Sequence, residues 1–198
     1  MSNREKILCC ATELFFRNGY QQTSVDDILA TCGVAKSNFY YHFKTKEEVA
    51  FAALDAKFEE YEALMRSSLS DESAPPCKRI EMFFAGLCDM QKDMYQYSGC
   101  PFGNFAAGLA DSDCQQSERF RIRLSYFFRR IEGYLHACLL QGISEGRFRD
   151  DVAPLDLAQH IIACIQGSLI LAKTFRNSQT LKVGLATARK LIERPVQV

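Results

Sequence analysis

Between Lys36 and Lys46 the sequence holds three lysines, His42 and no acidic residue. Such a run can neutralise phosphates, and Lys36, Ser37, Asn38 and Tyr40 are side-chain types that reach base edges. The formal net charge of the chain is zero, from 24 Lys and Arg against 24 Asp and Glu. Attraction to a polyanion therefore has to come from this local arrangement and not from the protein as a whole. A second reading treats the same run as one side of a small three-helix core with a solvated basic face. Phe39 and Phe43 fit that core, whereas the polar ends of Tyr40, Tyr41, His42 and Lys46 suit phosphate contacts.

Other reactive side chains argue for less. Nine cysteines, at 9, 10, 32, 77, 88, 100, 114, 138 and 164, include no CxxC pair and no metal-finger spacing. Asp156, His160 and Cys164 recur every four residues on one helical face, but three ligands on one helix seldom converge on a metal. Neither a GxSxG elbow nor a phosphate-cradling glycine loop is present, and no His stands beside an evident nucleophile. These residues predict neither an enzyme nor a cofactor nor a metal site.

The elements that must position the basic run read at a helical period throughout, with no alternating β-branched run, so the fold class expected is all-α. At 198 residues, of which 47% are hydrophobic, the chain can bury a real core. Ser2 and Glu5 are spaced as a capping box for a first helix that ends at Asn18-Gly19. Thr23 or Ser24 caps a second helix at about 24–32, with Asp26 and Asp27 in its first turn, where carboxylates complement the helix dipole. Gly33 supplies a left-handed corner, and a third helix follows at about 35–43. Thr45 and Glu48 launch a fourth, to about Leu69. The linker Ser70 to Pro76 precedes helices at about 77–95, 101–109, 115–145, 154–175 and 180–193. Helices two and three have the length and spacing of a helix-turn-helix, whose second helix enters the major groove. The DNA-binding candidates are Thr23, Ser24, Lys36, Ser37, Asn38, Tyr40, Tyr41, His42, Thr45 and Lys46.

Thr23-Ser24, Ile28 and the run Cys32-Gly33-Val34-Ala35-Lys36-Ser37-Asn38-Phe39-Tyr40-Tyr41-His42-Phe43-Lys44-Thr45-Lys46-Glu47-Glu48-Val49 resemble the N-terminal signature of the TetR family of bacterial transcriptional regulators. Three positions depart from it: Cys32 where Ala is usual, Ala35 where a capping Ser is usual, and Ser37 where Gly or Ala is usual. Resemblance implies a three-helix DNA-binding domain, here residues 1–50, joined to a helical effector-binding and dimerisation domain, residues 51–198. It further implies a repressor released from a two-fold symmetric operator by a small molecule. A helical ligand-binding protein or enzyme that kept this fold without operator recognition is the alternative.

In the larger domain, Phe83, Leu87, Gln91, Cys100, Phe102, Phe105, Tyr126 and Phe127 are candidates for an effector cavity, since aromatic side chains either line such a cavity or fill a core. Cys100 precedes Pro101, which reads as a first helical residue, so Cys100 falls at an N-cap position where a thiolate is favoured. The Gly99-Cys100-x-x-Gly103-Asn104 pattern is similar to one in a branch of the family, some of whose members sense electrophiles through a cysteine in this region. The last two helices carry stripes from which Ile161, Ile165, Ser168, Leu185, Ala188 and Ile192 are expected at a homodimer interface. Leu155 to Ala172 is the most apolar stretch, but Asp156, Gln159, His160 and Gln166 interrupt it, so no membrane partner is expected. Met1 to Lys6 runs straight into an amphipathic pattern, and the expected location is the cytoplasm.

Overall fold

In the computed structural model, which describes residues 1–94, 99–109, 115–177 and 179–193, every regular element is a helix. These are α1 (Asn3–Asn18), α2 (Val25–Cys32), α3 (Lys36–His42), α4 (Lys46–Ser68), α5 (Pro76–Met94), α6 (Pro101–Ala107), α7 (Gln115–Ser144), α8 (Pro154–Phe175) and α9 (Gln179–Ile192). Caps explain most of the boundaries. Ser2 and Glu5 exchange the two bonds of a capping box at α1, and Gly19, at φ 90°, ends that helix with its N–H on the Phe15 carbonyl. Pro154 opens α8 as a first-turn residue that has no N–H to satisfy.

The described chain forms two compact units, residues 1–61 with 101–125 and residues 62–100 with 126–198. The first takes in more than the 1–50 expected of a DNA-binding domain, for a reason visible in its core. Phe105 lies between Tyr20 and Phe120, with ring centroids 5.5 and 5.1 Å away, and Phe102 packs on Phe16 at 5.9 Å and Tyr61 at 5.2 Å. Aromatic pairs at such separations add about 0.5–1.5 kcal/mol each beyond the area they bury. The last turn of α1 leaves carbonyls that no helical N–H can reach, and the Asn104 side-chain amide donates to one of them, Phe16, at 3.2 Å. Residues 101–125 thus complete the interior under α1.

In the second unit α8 and α9 are an antiparallel pair in intimate contact. A side chain at Gly184 would run into the Ser168 hydroxyl, and Thr180 donates to the Ser168 carbonyl at 3.2 Å. Leu157, Ile161, Ile165 and Leu169 of α8 are buried with Leu181, Ala188 and Ile192 of α9. By length and composition alone α8 could cross a membrane, and 39% of its apolar stretch is buried inside the protein. Arg79 of α5 is buried, donating to the Leu69 carbonyl at 3.2 Å and to the Gln141 amide oxygen on α7. Glu62 of α4 accepts from Arg130 and, at 2.7 Å, from the Tyr134 hydroxyl. Burial opposes ionisation of Glu62, but these two donors outweigh it and hold the carboxyl below its ordinary range.

Candidate nucleic-acid interface

Ser24 is the N-cap of α2. Its hydroxyl accepts from the Asp27 N–H at 3.1 Å, and the Asp27 carboxylate accepts from the Ser24 N–H at 2.8 Å. The Ser24 hydroxyl and N–H hold the Asp27 carboxyl below its ordinary pKa, with Lys46 adding to the effect. At the other end Gly33 sits at φ 64°, in the left-handed region, and returns its N–H to the Leu29 carbonyl at 3.0 Å. Nothing lies within 4 Å of where a Cβ would project at Gly33, so backbone conformation alone selects glycine there. Ala35 caps α3 without a side-chain bond, as its departure from the usual serine implies.

Ile28, Val34, Phe39 and Phe43 are buried beneath α2 and α3, and most polar side chains of these two helices are exposed. Lys36 and Ser37 are exposed, Asn38 is half-buried, and Tyr40 and Tyr41 are 43% and 76% exposed. His42 is half-buried, its ring edge-on to Tyr41 at 4.9 Å. Thr45 is exposed and caps α4 by accepting from the Glu48 N–H at 3.1 Å. Lys46 is half-buried, its ammonium 4.2 Å from the centroid of the Tyr20 ring. Desolvation pulls its pKa down, against the opposing pull of Asp27. Nine of the ten DNA-binding candidates are therefore exposed or half-buried.

Thr23 is the tenth, and the structure uses it differently. It is 1% exposed, and its hydroxyl donates to the Gly19 carbonyl at 3.0 Å and, more weakly, to that of Leu14 at 3.3 Å. It locks the α1–α2 corner, and its hydroxyl is turned away from solvent. Three further side chains escaped the sequence reading. Asp26 accepts from the Lys36 ammonium at 3.1 Å, which raises the lysine pKa. Lys44 donates to the Tyr40 carbonyl at 3.1 Å, and the Arg4 guanidinium lies 5.3 Å over the Phe43 ring. Lys44 and Tyr40 stand four residues apart, a spacing the sequence offers, whereas Asp26 with Lys36 and Arg4 with Phe43 meet across different elements and only tertiary placement reveals them.

The remaining candidates are distributed over both units. Phe83, Leu87 and Phe127 are buried in the second unit with Cys100, while Tyr126 is 52% exposed at its surface. Phe102 and Phe105 belong to the aromatic interior of the first unit, packed ring against ring. The Gln91 side chain lies outside the described residues. In the second unit, a cavity of about 240 Å³ opens elsewhere, between Cys77, Ile80 and Glu81 of α5, Arg147 and Phe148, and Arg189 and Ile192 of α9. Of the stripe expected at a dimer interface, Ile161, Ile165, Ser168, Ala188 and Ile192 of the α8–α9 pairing are buried within a single chain, and Leu185 is half-buried. The apolar side chains that this pairing leaves in solvent are Leu155, Ile170, Leu171 and Phe175 of α8 and Val183 of α9, between 42% and 65% exposed. Among the described residues no group of three His, Cys, Asp or Glu side chains is placed to hold a metal ion.

Comparison with known proteins covers both parts of the chain. Residues 7–53 match the model of bacterial regulatory proteins of the tetR family, and residues 76–188 match that of the tetracyclin repressor-like C-terminal domain. The HTH-type transcriptional repressor DhaR of Mycobacterium sp. (strain GP1) is 32% identical over 90% of this chain and 86% of its own. Among solved structures, the reduced form of Escherichia coli NemR superposes with a TM-score of 0.83 at 23% identity, over 98% of both chains. A TetR regulatory protein from Rhodobacter sphaeroides gives 0.85 at 20% identity, over 95% of this chain and 97% of its own. The last two show the fold; the matched models and the DhaR relationship, spanning the basic helix-turn-helix and the helical domain behind it, show that this chain belongs to the TetR family of transcriptional regulators.

Proposed function

We propose that this regulator is a homodimeric repressor that leaves a two-fold symmetric operator when its second unit binds a small molecule, and that it works in the cytoplasm without catalysing a reaction. One observation carries the reading of DNA: α3 exposes Lys36, Ser37, Tyr40 and Tyr41, while the Lys36–Lys46 segment around it contains no carboxylate. A repressor's name on the DhaR relative supports the sign. Side chains at the start of α3 read base edges, and Tyr41, Thr45 and Lys46 hold the flanking phosphates. The exposed apolar side chains of α8 and α9 are the surface through which two copies pair, because Ile161, Ile165, Ser168, Ala188 and Ile192 are already covered within one chain. The Gly99-Cys100-x-x-Gly103-Asn104 pattern supports assignment to the branch that carries it. Its Asn104 has a structural duty at α1, and Cys100 is buried at 7% exposure, so a non-covalent effector fits this chain better than attack at Cys100.

The test is capture of genomic fragments by the purified protein near physiological salt, followed by sequencing. The expected result is a two-fold symmetric site bound by the wild type, more weakly by Lys46→Ala at every sequence, and with altered base preference by Asn38→Ala. A folded dimer that enriches no fragment would overturn the operator reading in favour of a ligand-binding protein on the same fold.

A further inference from the structure

The cavity of about 240 Å³ in the second unit is lined by none of the side chains that the sequence offered for an effector. Its floor is apolar: Ile80 of α5, Phe148 of the α7–α8 connection and Ile192 of α9 are each at most 3% exposed. Backbone contacts hold these walls in place. The Phe148 ring occupies the space that a Cβ would take at Gly142, and the Arg147 and Phe148 N–H groups both reach the Gly142 carbonyl, at 2.8 and 3.2 Å. The Arg149 N–H then donates to the Ile192 carbonyl at 2.9 Å, tying this connection to the end of α9. The rim, by contrast, is charged. Arg189 of α9 pairs with Glu81 of α5, and Arg147 pairs with Glu145 at 2.6 Å.

The spare donors at this rim suit an anion. A guanidinium carries five N–H groups, and among the described residues Arg147 commits only its Nε to a carboxylate and Arg189 only one terminal nitrogen. Glu81 also accepts from Lys78 at 3.3 Å, so it is shared between two cations. Glu193, the other rim carboxylate, is exposed and keeps its charge in solvent. The first turn of α5 brings Cys77 to the lining and contains no acidic residue, so nothing in that turn offsets the positive end of the helix dipole. A planar carboxylate matches two N–H groups of a guanidinium. As an apolar cavity of roughly 150 Å³ holds benzene, about 240 Å³ suits a body of about ten non-hydrogen atoms. On the reading above that the second unit meets a small molecule, we propose that this cavity binds a small hydrophobic carboxylate of the size of an arylacetic acid. Its apolar body lies on Ile80, Phe148 and Ile192, and its carboxylate takes the remaining donors of Arg147 and Arg189.

The probe is phenylacetate, titrated calorimetrically into the full-length protein without DNA. Saturable binding at one site per chain is expected, with none for 2-phenylethylamine, a similar frame of opposite charge. Arg147→Gln and Arg189→Gln each weaken binding about tenfold, the scale of one lost charge-assisted hydrogen bond, and Arg189→Lys, which keeps the charge, weakens it less. A second measurement places the ligand in the wild type. Saturating phenylacetate slows alkylation of Cys77 by iodoacetamide several-fold, read in tryptic peptide 67–78, and leaves the rate at Cys9, exposed on α1, unchanged. The site is overturned by an absence of saturable binding, by equal binding of the amine, by arginine variants that bind as the wild type does, or by Cys77 alkylated at the same rate with and without ligand. Because DNA is absent throughout, the two readings fail separately. A protein that binds phenylacetate here but enriches no genomic fragment sinks the operator reading and leaves the cavity's ligand standing; one that enriches an operator but ignores phenylacetate does the reverse.

Discussion

The helix-turn-helix and the α8–α9 pair are both two helices joined by a short connection, yet they differ in how many faces are apolar. In α2 and α3 a single side is apolar, Ile28, Val34, Phe39 and Phe43, and it is buried, so everything polar is left outside by elimination. In α8 at least two sides are apolar: Leu157, Ile161 and Ile165 are buried, and Leu155, Ile170, Leu171 and Phe175 are not. An apolar stripe names a contact without naming the partner. Where a helix has one stripe the partner is the protein's own core; where it has two, spacing cannot say which stripe stays at home.

This contrast can be broken by experiment. Ile161→Ala is expected to cost about 2–5 kcal/mol in urea unfolding, as buried Ile truncations do, whereas Phe175→Ser leaves that transition nearly in place and shifts sedimentation toward monomer. A reversed pattern would exchange the two faces. Next in size is a pH effect confined to the second unit. Cys138 of α7, buried against the Pro76 carbonyl, has its thiol pushed up by desolvation to about 11 from an ordinary 9.0. Because the folded value is the higher one, the stability is fully present below about 9 and is lost as pH climbs toward about 11. The wild type should lose roughly 2–3 kcal/mol more than Cys138→Ala over that window.

The first unit gives smaller effects, each tied to one local device. Gly33→Ala is expected to cost about 1–2 kcal/mol, the penalty for an L side chain in the left-handed region, and Gly33→Asn less; equal costs would show that space and not backbone conformation selects glycine. Ser24→Ala should cost about 1 kcal/mol as a lost N-cap, read by thermal unfolding. Smallest of all, Asp26→Asn frees Lys36 from its partner and should tighten DNA binding a few-fold, with a steeper dependence on salt. Unchanged affinity would mean that the lysine already leaves Asp26 at no cost when DNA arrives.

Legibility followed the range of the interactions concerned. Ser2 with Glu5, Thr45 with Glu48 and the αL glycine at 33 are local, and they located helix ends in the sequence to within a residue or two. Thr23 and Ser24 were equivalent as caps by residue type; only the packing of the α1–α2 corner separates the buried hydroxyl of one from the capping hydroxyl of the other. The aromatic candidates for an effector cavity were the least legible. Whether Phe105 lines a hole or fills it depends on Tyr20 and Phe120, one far upstream and the other beyond the end of its own helix. No periodicity within α6 carries that information.

The core beneath the DNA-reading helices draws on two stretches of chain separated by about forty residues, 1–61 and 101–125. During synthesis, then, the helix-turn-helix leaves the ribosome well before Phe102, Phe105 and Phe120 exist to close its interior. Residues 1–61 alone would expose the faces of Phe16 and Tyr20 that those rings cover, and the unit reaches its finished form only after the nascent chain has passed residue 120.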